Sequence, residues 1–322
     1  MAQLNNLVVT GSFLLGNTEN TSSVGNIWYD TNANRVKYSY FGKAWSTGGA
    51  MVESNIGSKA GAGTQNAALS FGGFSYNSFS PVSCTEEYNG TSWAVGGALI
   101  TARHSPAGAG TQNAALSFGG NAGSSVSCTE EYNGSSWSSG GALITARASL
   151  AGAGTQNAGL AFGGSTPYPV SCTEEYDGTS WTTGGALITA RCRLAGAGTQ
   201  TAGLVFGGDP GSSCTEEYNG SSWSSGGALS TARYALGGTG TQNAGLAFGG
   251  KPQYVYGGSN APLTCTEEYN GSSWSAGSAL ITARGYLAGA GTQTAGLAFG
   301  GTNGTYGICT EEYNTSMQIC TL

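Results

Sequence analysis

Short apolar runs that end in glycine recur along most of the chain and predict β-strands. In one copy, the run from Asn113 to Phe118 is largely apolar, and Gly119-Gly120 follows it directly. A run of this length bounded by glycine is typical of a strand and too short for most helices. A further run, Val126 to Tyr132, ends at Asn133-Gly134, a pair that favours a type I′ hairpin turn. The pattern therefore predicts an all-β chain.

The pattern belongs to an internal repeat of about four strands. In the copy just described, we predict strands over Ala107–Gly110, Asn113–Phe118, Val126–Tyr132 and Trp137 to about Arg147. Repeated four-stranded antiparallel sheets around an axis form a β-propeller. Within each copy the most recognisable string is Cys-Thr-Glu-Glu-Tyr, which begins at Cys84, Cys128, Cys172, Cys214, Cys265 and Cys309.

The number of copies predicts both the size of the ring and its closure. A tryptophan opens each predicted fourth strand: Trp45, Trp93, Trp137, Trp181, Trp223 and Trp274. Trp45 precedes the first complete copy, whereas no such strand follows the copy at Cys309. We therefore predict a six-bladed propeller whose last blade is completed by the N-terminal strand from Trp45 to about Ile56, which removes exposed sheet edges. The predicted domains are an anchor segment, residues 1–44, and the propeller, residues 45–322.

The repeat resembles the kelch repeat. Phe-Gly-Gly ends the second strand, a tyrosine lies in the third, and a tryptophan follows that tyrosine by five residues. The copies depart from the family by carrying Cys-Thr-Glu-Glu before the tyrosine and by being nearly identical. The resemblance implies a kelch-like propeller, and because that family includes both enzymes and binding modules, it does not by itself set the function.

Composition and charge narrow the candidate functions. Charged residues make up 9% of the chain, the net charge is -6, and the 11 lysines and arginines are scattered along the sequence. Nucleic-acid binding needs a basic face that displaces counterions, so we expect no nucleic-acid partner. No apolar run reaches the roughly 18 residues of a membrane-spanning helix, so we expect no membrane insertion.

The repeated Glu-Glu pairs invite a metal or acid–base interpretation, but strand geometry favours a structural one. Adjacent residues of a strand point to opposite faces, so Glu86 and Glu87 cannot easily chelate one ion. We expect one glutamate per blade to pair with an arginine from the end of a fourth strand: Arg103, Arg147, Arg191, Arg233 and Arg284.

Cysteine and histidine usage also argues against catalysis. The repeated cysteines are predicted to be small buried side chains too far apart for disulfides, and Cys192 and Cys320 fall outside the pattern. His104 is the one histidine, too few for a catalytic triad or a copper site of the kind found in some kelch oxidases. We expect no cofactor and no metal. The alternative is a carbohydrate-active propeller enzyme, which requires converging carboxylates with shifted pKa values.

The connections between strands two and three, and between strands four and one, vary while the strands repeat. In an antiparallel meander both kinds of connection lie on the same rim. Tyrosines among Ser, Gly and Asn on loops of a rigid frame are typical of a recognition surface, although drift in unselected loops would also explain the variation. The predicted binding residues on this rim are Phe74, Tyr76, Phe79, His104, Tyr168, Tyr234, Tyr254, Tyr256, Tyr286 and Tyr306.

The N-terminal segment lies outside the repeat and predicts a hairpin, with Gly25 to Asp30 followed by a turn and Arg35 to Tyr40. Val36 to Trp45 also aligns with a third strand and the tryptophan that follows it. The segment as a whole, together with its first residues, Met-Ala-Gln-Leu-Asn-Asn-Leu-Val-Val-Thr-Gly, resembles the N-terminal regions of bacteriophage tail-fibre and related virion proteins. That resemblance implies a virion protein assembled in the host cytoplasm, homo-oligomeric, anchored to other virion proteins through residues 1–44 and binding a host surface glycan or protein receptor. Besides the virion protein and the carbohydrate-active enzyme, the other alternative is a soluble scaffold that recognises a host protein.

Overall fold

The computed structural model describes residues 27–30, 35–209, 211–253, 260–304 and 307–321. All regular secondary structure in these ranges is β-strand. The same residues contain no helix long and apolar enough to cross a membrane. Three of the predicted rim residues, Tyr254, Tyr256 and Tyr306, lie outside the described residues, as does most of the predicted anchor segment.

The chain divides into two units, one formed by residues 1–43 with 315–322 and the other by residues 44–314. In the first unit, strand β1 (Ile27–Asp30) pairs antiparallel with the start of β2 (Arg35–Thr47), which confirms the predicted hairpin. Strand β2 continues without interruption through the stretch that aligns with a third strand, a turn and a tryptophan. Phe41 stands where the other copies have asparagine or aspartate, and Asn314 at the same position of the last copy also lies inside a continuous strand, β30 (Thr310–Thr321).

The other strands are short, most of them two to five residues long. In chain order they are β3 (Ile56–Gly57), β4 (Ala60–Thr64), β5 (Ala67–Phe71), β6 (Phe74–Ser75), β7 (Ser80–Pro81), β8 (Thr85–Tyr88), β9 (Trp93–Val95), β10 (Ala107–Thr111), β11 (Ala114–Phe118), β12 (Thr129–Tyr132), β13 (Trp137–Ser139), β14 (Ala151–Thr155), β15 (Ala158–Phe162), β16 (Thr173–Tyr176), β17 (Trp181–Thr183), β18 (Ala195–Gly198), β19 (Gly203–Phe206), β20 (Thr215–Tyr218), β21 (Trp223–Ser225), β22 (Arg233–Tyr234), β23 (Gly237–Thr241), β24 (Ala244–Phe248), β25 (Lys251–Pro252), β26 (Thr266–Tyr269), β27 (Trp274–Ala276), β28 (Gly285–Gly291), β29 (Ala295–Thr302) and β30 (Thr310–Thr321).

These strands form repeated four-stranded antiparallel sheets, a propeller-like architecture. The four-stranded sheets have the orders β4-β5-β8-β9, β10-β11-β12-β13, β14-β15-β16-β17, β18-β19-β20-β21 and β23-β24-β26-β27, and a further sheet has the order β1-β2-β30-β29-β28. In the second of them Leu116 lies opposite Glu131, and Tyr132 lies opposite Trp137. Strand β2, which contains Trp45, therefore lies next to β30, which follows Cys309.

The fourth strand of each copy is much shorter than predicted. It spans Trp137–Ser139 instead of reaching Arg147, and the third strand begins at Thr129 instead of Val126. The chain leaves the sheet because it passes against the next copy, where a Cβ on Gly141 would overlap the carbonyl oxygen of Thr179. The apolar residues that follow still bury one side chain, Leu143, but outside any sheet.

The innermost strands pack directly against one another. Strand β10 lies between β4 and β14, β18 and β23 follow, and β28 packs on both β23 and β4. The approach is close enough to require glycine: a Cβ on Gly152 would lie 2.5 Å from Cζ of Phe118 and 2.7 Å from the carbonyl oxygen of Gly108. Glycine at this position of the inner strands therefore allows successive sheets to meet near an axis.

The predicted tryptophan anchors link one copy to the copy before it. Trp137 is buried and its indole N–H donates to Thr85 Oγ1 at 3.0 Å. Trp45, Trp93, Trp181 and Trp223 are buried as well, and Trp274 is partly buried. The indole of Trp93 donates to Thr310 Oγ1 at 2.9 Å, a contact between the first and last copies.

Candidate functional site

The two kinds of variable connection lie side by side in each copy. His104 pairs with Asn121, Ala148 with Ser165, and Cys192 with Asp209 as isolated antiparallel bridges. The corresponding pair in the fifth copy forms strands β22 and β25, with Tyr234 opposite Lys251. The connection from strand four to strand one is therefore held against the loop between strands two and three.

The residue at one equivalent position of every four-to-one connection adopts the left-handed backbone conformation, and none of these six residues is glycine. Their φ angles lie between 51° and 56°. Such conformations cost energy in residues other than glycine and cluster at functional sites. We call them the αL residues: Ser58, Ser105, Ser149, Arg193, Ala235 and Tyr286.

Main-chain hydrogen bonds run from one αL residue to the next. The amide of Ser149 donates to the carbonyl of Ser105 at 3.0 Å, and that of Arg193 donates to Ser149 at 2.8 Å. The amides of Ala235 and Tyr286 continue the series at 2.8 Å each. Because these bonds satisfy backbone groups at the mouth of the inner strands, they fix the αL residues while leaving their side chains free to differ.

A cavity of about 350 Å³ opens among the αL residues. All six line it, together with Phe74, Tyr76 and His104. Each αL residue is followed by a further lining residue, and these are mostly aliphatic: Lys59, Pro106, Leu150, Leu194, Leu236 and Leu287. None of the described residues that line this rim cavity is an aspartate or a glutamate.

One side of the rim cavity is aromatic. The rings of Phe74 and Tyr76 are 5.1 Å apart, and the imidazole of His104 stands edge-on to Phe74 at 5.4 Å. His104 Nδ1 is 3.1 Å from the hydroxyl of Ser105. Burial lowers the pKa of His104 below its ordinary value, so the imidazole is neutral at pH 7. This wall offers ring faces and hydrogen-bonding groups without a charge.

Another part of the rim holds two cations and two tyrosines in sequence. The guanidinium of Arg193 lies 5.9 Å from the ring centroid of Tyr234. The rings of Tyr234 and Tyr286 are 6.5 Å apart and nearly perpendicular. The ammonium of Lys251 lies 5.5 Å from the centroid of Tyr286. We call this arrangement the cation–tyrosine row, and both ends of it carry a positive charge.

The structure brings part of the predicted rim together. Phe74, Tyr76, His104 and Tyr286 line the cavity, and Tyr234 contacts Tyr286. Phe79 and Tyr168 are 78% and 80% exposed, and neither lines the cavity. Sequence reasoning missed Arg193 and Lys251 because it followed tyrosines. The available signal was that Arg193 replaces the serine or alanine found at the same position of most other copies.

The first glutamate of each pair is buried in an ion pair with the preceding copy. Arg147 Nη1 lies 2.5 Å from Glu174 Oε1, and both side chains are almost fully buried. The amides of Ile144 and Thr145 donate to the same carboxylate at 2.7 and 3.2 Å. Burial lowers the pKa of the Arg147 guanidinium, and the charge of Glu174 counteracts that effect.

The same buried pairing recurs along the chain. Arg103 pairs with Glu130, Arg191 with Glu216, Arg233 with Glu267, and Arg284 with Glu311. The first copy lacks the arginine, and Lys59 takes its place at 2.8 Å from Glu86.

The second glutamate of each pair accepts a hydrogen bond from a tyrosine of the next copy. Tyr132 Oη donates to Glu87 at 2.5 Å, and Tyr176 Oη donates to Glu131 at 2.7 Å. The same contact joins the first and last copies, where Tyr88 Oη donates to Glu312 at 2.6 Å. Within the described ranges, no group of three or more His, Cys, Asp or Glu residues is placed to hold a metal ion.

The prediction that the repeated cysteines are buried is wrong. Cys214 and Cys309 are exposed, and the other four repeated cysteines are half-buried. They precede the third strand instead of lying inside it. Their main chain rather than their thiol contacts the repeat's buried arginine, since Arg191 Nη1 donates to the carbonyl of Cys214 at 2.7 Å. Cys192 is buried, and both it and the six repeated cysteines are free thiols.

The sequence was also compared with known proteins. No family model matches it, and no match was found among curated proteins. The functional inference therefore depends on the repeat architecture and on the rim cavity.

Proposed function

We propose that the chain is a non-catalytic attachment protein of a bacteriophage particle, which binds a host surface glycan or a protein receptor at the rim cavity. The observation that carries this proposal is the lining of the cavity. Ring faces of Tyr76 and Tyr286 lie beside serine hydroxyls and aliphatic side chains, a combination suited to stacking and hydrogen bonding. Glycoside hydrolysis commonly requires two carboxyl groups near the scissile bond, whereas the repeat's carboxylates are engaged in structural contacts.

The binding proposal rests on a rigid frame, which we propose to be a closed six-bladed kelch-like propeller. Three kinds of contact support this number and this closure. The indole of Trp93, the hydroxyl of Tyr88 and the amide of Gln65 join the first copy to the last, as the equivalent residues join other neighbours. Trp45 supplies the missing fourth-strand tryptophan of the last copy and donates to Thr266 of the copy before it.

We further propose that residues 1–44 anchor the protein to other virion proteins and that it assembles as a homo-oligomer. The support is the resemblance of the opening residues to tail-fibre proteins. The test is a phage genome that encodes the chain without residues 1–35. Loss of the protein from purified particles, with the propeller still soluble and folded in the lysate, is the expected result. Normal incorporation would contradict the anchor and favour a soluble interaction scaffold.

Ligand binding is tested on a glycan array probed with the full chain. Tyr286→Ala removes a ring from the cavity, and Tyr168→Ala removes a ring that is 80% exposed and does not line it. We expect binding to be lost in the first variant and retained in the second. Equal binding by both variants would contradict the cavity as the contact surface.

A further inference from the structure

The distribution of cations singles out one part of the rim. Of the 11 lysines and arginines, three precede residue 44: Arg35, Lys37 and Lys43. Six more form the buried ion pairs with glutamates: Lys59, Arg103, Arg147, Arg191, Arg233 and Arg284. The remaining two, Arg193 and Lys251, are the two ends of the cation–tyrosine row. In a chain of net charge -6, the cations that remain available to a ligand in residues 44–314 are thus both at this rim.

The two cations are held by contacts that a ligand can share or replace. Arg193 Nη1 lies 3.0 Å from Asp209 Oδ2, but the two side chains are 43% and 36% exposed. Exposed ion pairs contribute little to stability, so Arg193 can exchange Asp209 for a ligand carboxylate at small cost. Lys251 lies over the ring of Tyr286. Its ammonium can donate hydrogen bonds while keeping this cation–π contact.

We propose that the cation–tyrosine row is a subsite for an acidic sugar, a pyranose that carries a carboxylate. This inference rests on the proposed glycan-binding function and specifies its ligand. The sugar ring stacks on Tyr286, and the carboxylate is bound by Arg193, whose planar guanidinium can donate two parallel hydrogen bonds. Lys251, which lies over Tyr286 at the other end of the row and does not line the cavity, adds positive potential beside the site. A cavity of about 350 Å³ lies at the small end of the range for ligand pockets and suits one or two sugar units.

The test is isothermal titration of the full chain with an oligosaccharide of uronic or sialic acid, and with the same oligosaccharide after its carboxyl groups are reduced. We expect the acidic form to bind at least about tenfold more tightly, and its binding to weaken as salt is added. Arg193→Gln should lower the affinity by about tenfold or more, and Lys251→Gln, which removes a cation beside the cavity, should lower it by a smaller factor. Arg35→Gln, which removes an exposed cation from outside the cavity, should leave it unchanged.

The outcomes separate this inference from the proposed function. Equal binding of the acidic and reduced sugars, with binding lost in Tyr286→Ala, would overturn the acidic-sugar subsite and leave glycan binding in place. Equally tight binding of a sulfated sugar would overturn the assignment to carboxylate in favour of a general anion site. Absence of binding to any glycan by the folded protein would overturn the acidic-sugar subsite and the glycan-binding form of the proposed function, and would leave a protein receptor as the ligand. Melting temperatures of the variants close to that of the parent protein exclude misfolding as the cause of a loss.

Discussion

The Arg147→Met variant is expected to be strongly destabilised because it leaves Glu174 buried without its cation. The Arg147 side chain is fully buried, and that of Glu174 is 3% exposed. Removing one partner of a buried ion pair costs about 3–5 kcal/mol. The amides of Ile144 and Thr145 still donate to the carboxylate, so we expect the lower end of that range, about 3 kcal/mol.

Urea unfolding followed by tryptophan fluorescence measures this loss as a shift of the midpoint at constant slope. Arg193→Gln is the matched control. It breaks an ion pair of similar geometry whose side chains are 43% and 36% exposed, and it should cost about 0–1 kcal/mol. The double variant Arg147→Met/Glu174→Gln removes both charges and should recover part of the lost stability, since the penalty comes from the uncompensated carboxylate.

Three results would refute this reasoning. A destabilisation of Arg147→Met no larger than that of the exposed control would mean that burial does not govern the pair. A double variant less stable than the single one would mean that the carboxylate carries little penalty when it is alone. A changed slope would mean that the substitution alters the unfolding transition itself.

Other features give further predictions. Gly152→Ala places a methyl group against Phe118 and should cost about 1–3 kcal/mol in urea unfolding, whereas Gly307→Ala, which meets only ordinary contacts, should cost much less. Burial and the hydrogen bond to Glu87 raise the pKa of Tyr132 to about 12. Tyrosinate absorbance of the folded protein should therefore show Tyr132 ionising above pH 10, and the free energy of unfolding should fall as the pH rises above about 10, the pKa of an unfolded tyrosine. Ionisation of every tyrosine near pH 10 would contradict this prediction. Thiol labelling of the folded protein should modify Cys214 before Cys192, and the reverse order would contradict their burial.

Much of the sheet architecture could be predicted because local pattern and global fold agree. The strand Ala114–Phe118 carries an apolar run, and the turn after Tyr132 falls where Asn-Gly predicts it. The predicted type I′ geometry is wrong: four residues connect Tyr132 to its partner Trp137, and of the Asn-Gly pair only Gly134 has a positive φ. The side chain of Asn133 accepts the amides of Ser135 and Ser136 instead. The pairing of Arg147 with one glutamate follows from the alternation of side chains along a strand. The length of the fourth strand could not be predicted, since it is set by the close passage of Gly141 against the next copy.

The candidate site was predictable only in outline. An aromatic residue such as Tyr286 stands out in a repetitive sequence because most other copies have a small residue at the same position. Four of the predicted rim residues line the cavity. The αL conformation of Arg193 and its neighbours leaves no signature in residue type, because glycine and asparagine, which favour it, are absent from those positions. Lys251 was equally invisible, since its proximity to Tyr286 arises only after the fifth and sixth copies pack together.

The closure of the propeller is tested most directly by a double-mutant cycle between Trp93 and Thr310, which belong to the first and last copies. Trp93→Phe and Thr310→Val remove the two partners of one buried hydrogen bond of 2.9 Å. Their coupling in urea unfolding should be about 1 kcal/mol and should equal that of the Trp137–Thr85 pair, which joins adjacent copies. Full coupling for Trp137–Thr85 with none for Trp93–Thr310 would show that the first and last copies are not neighbours and would contradict a closed ring.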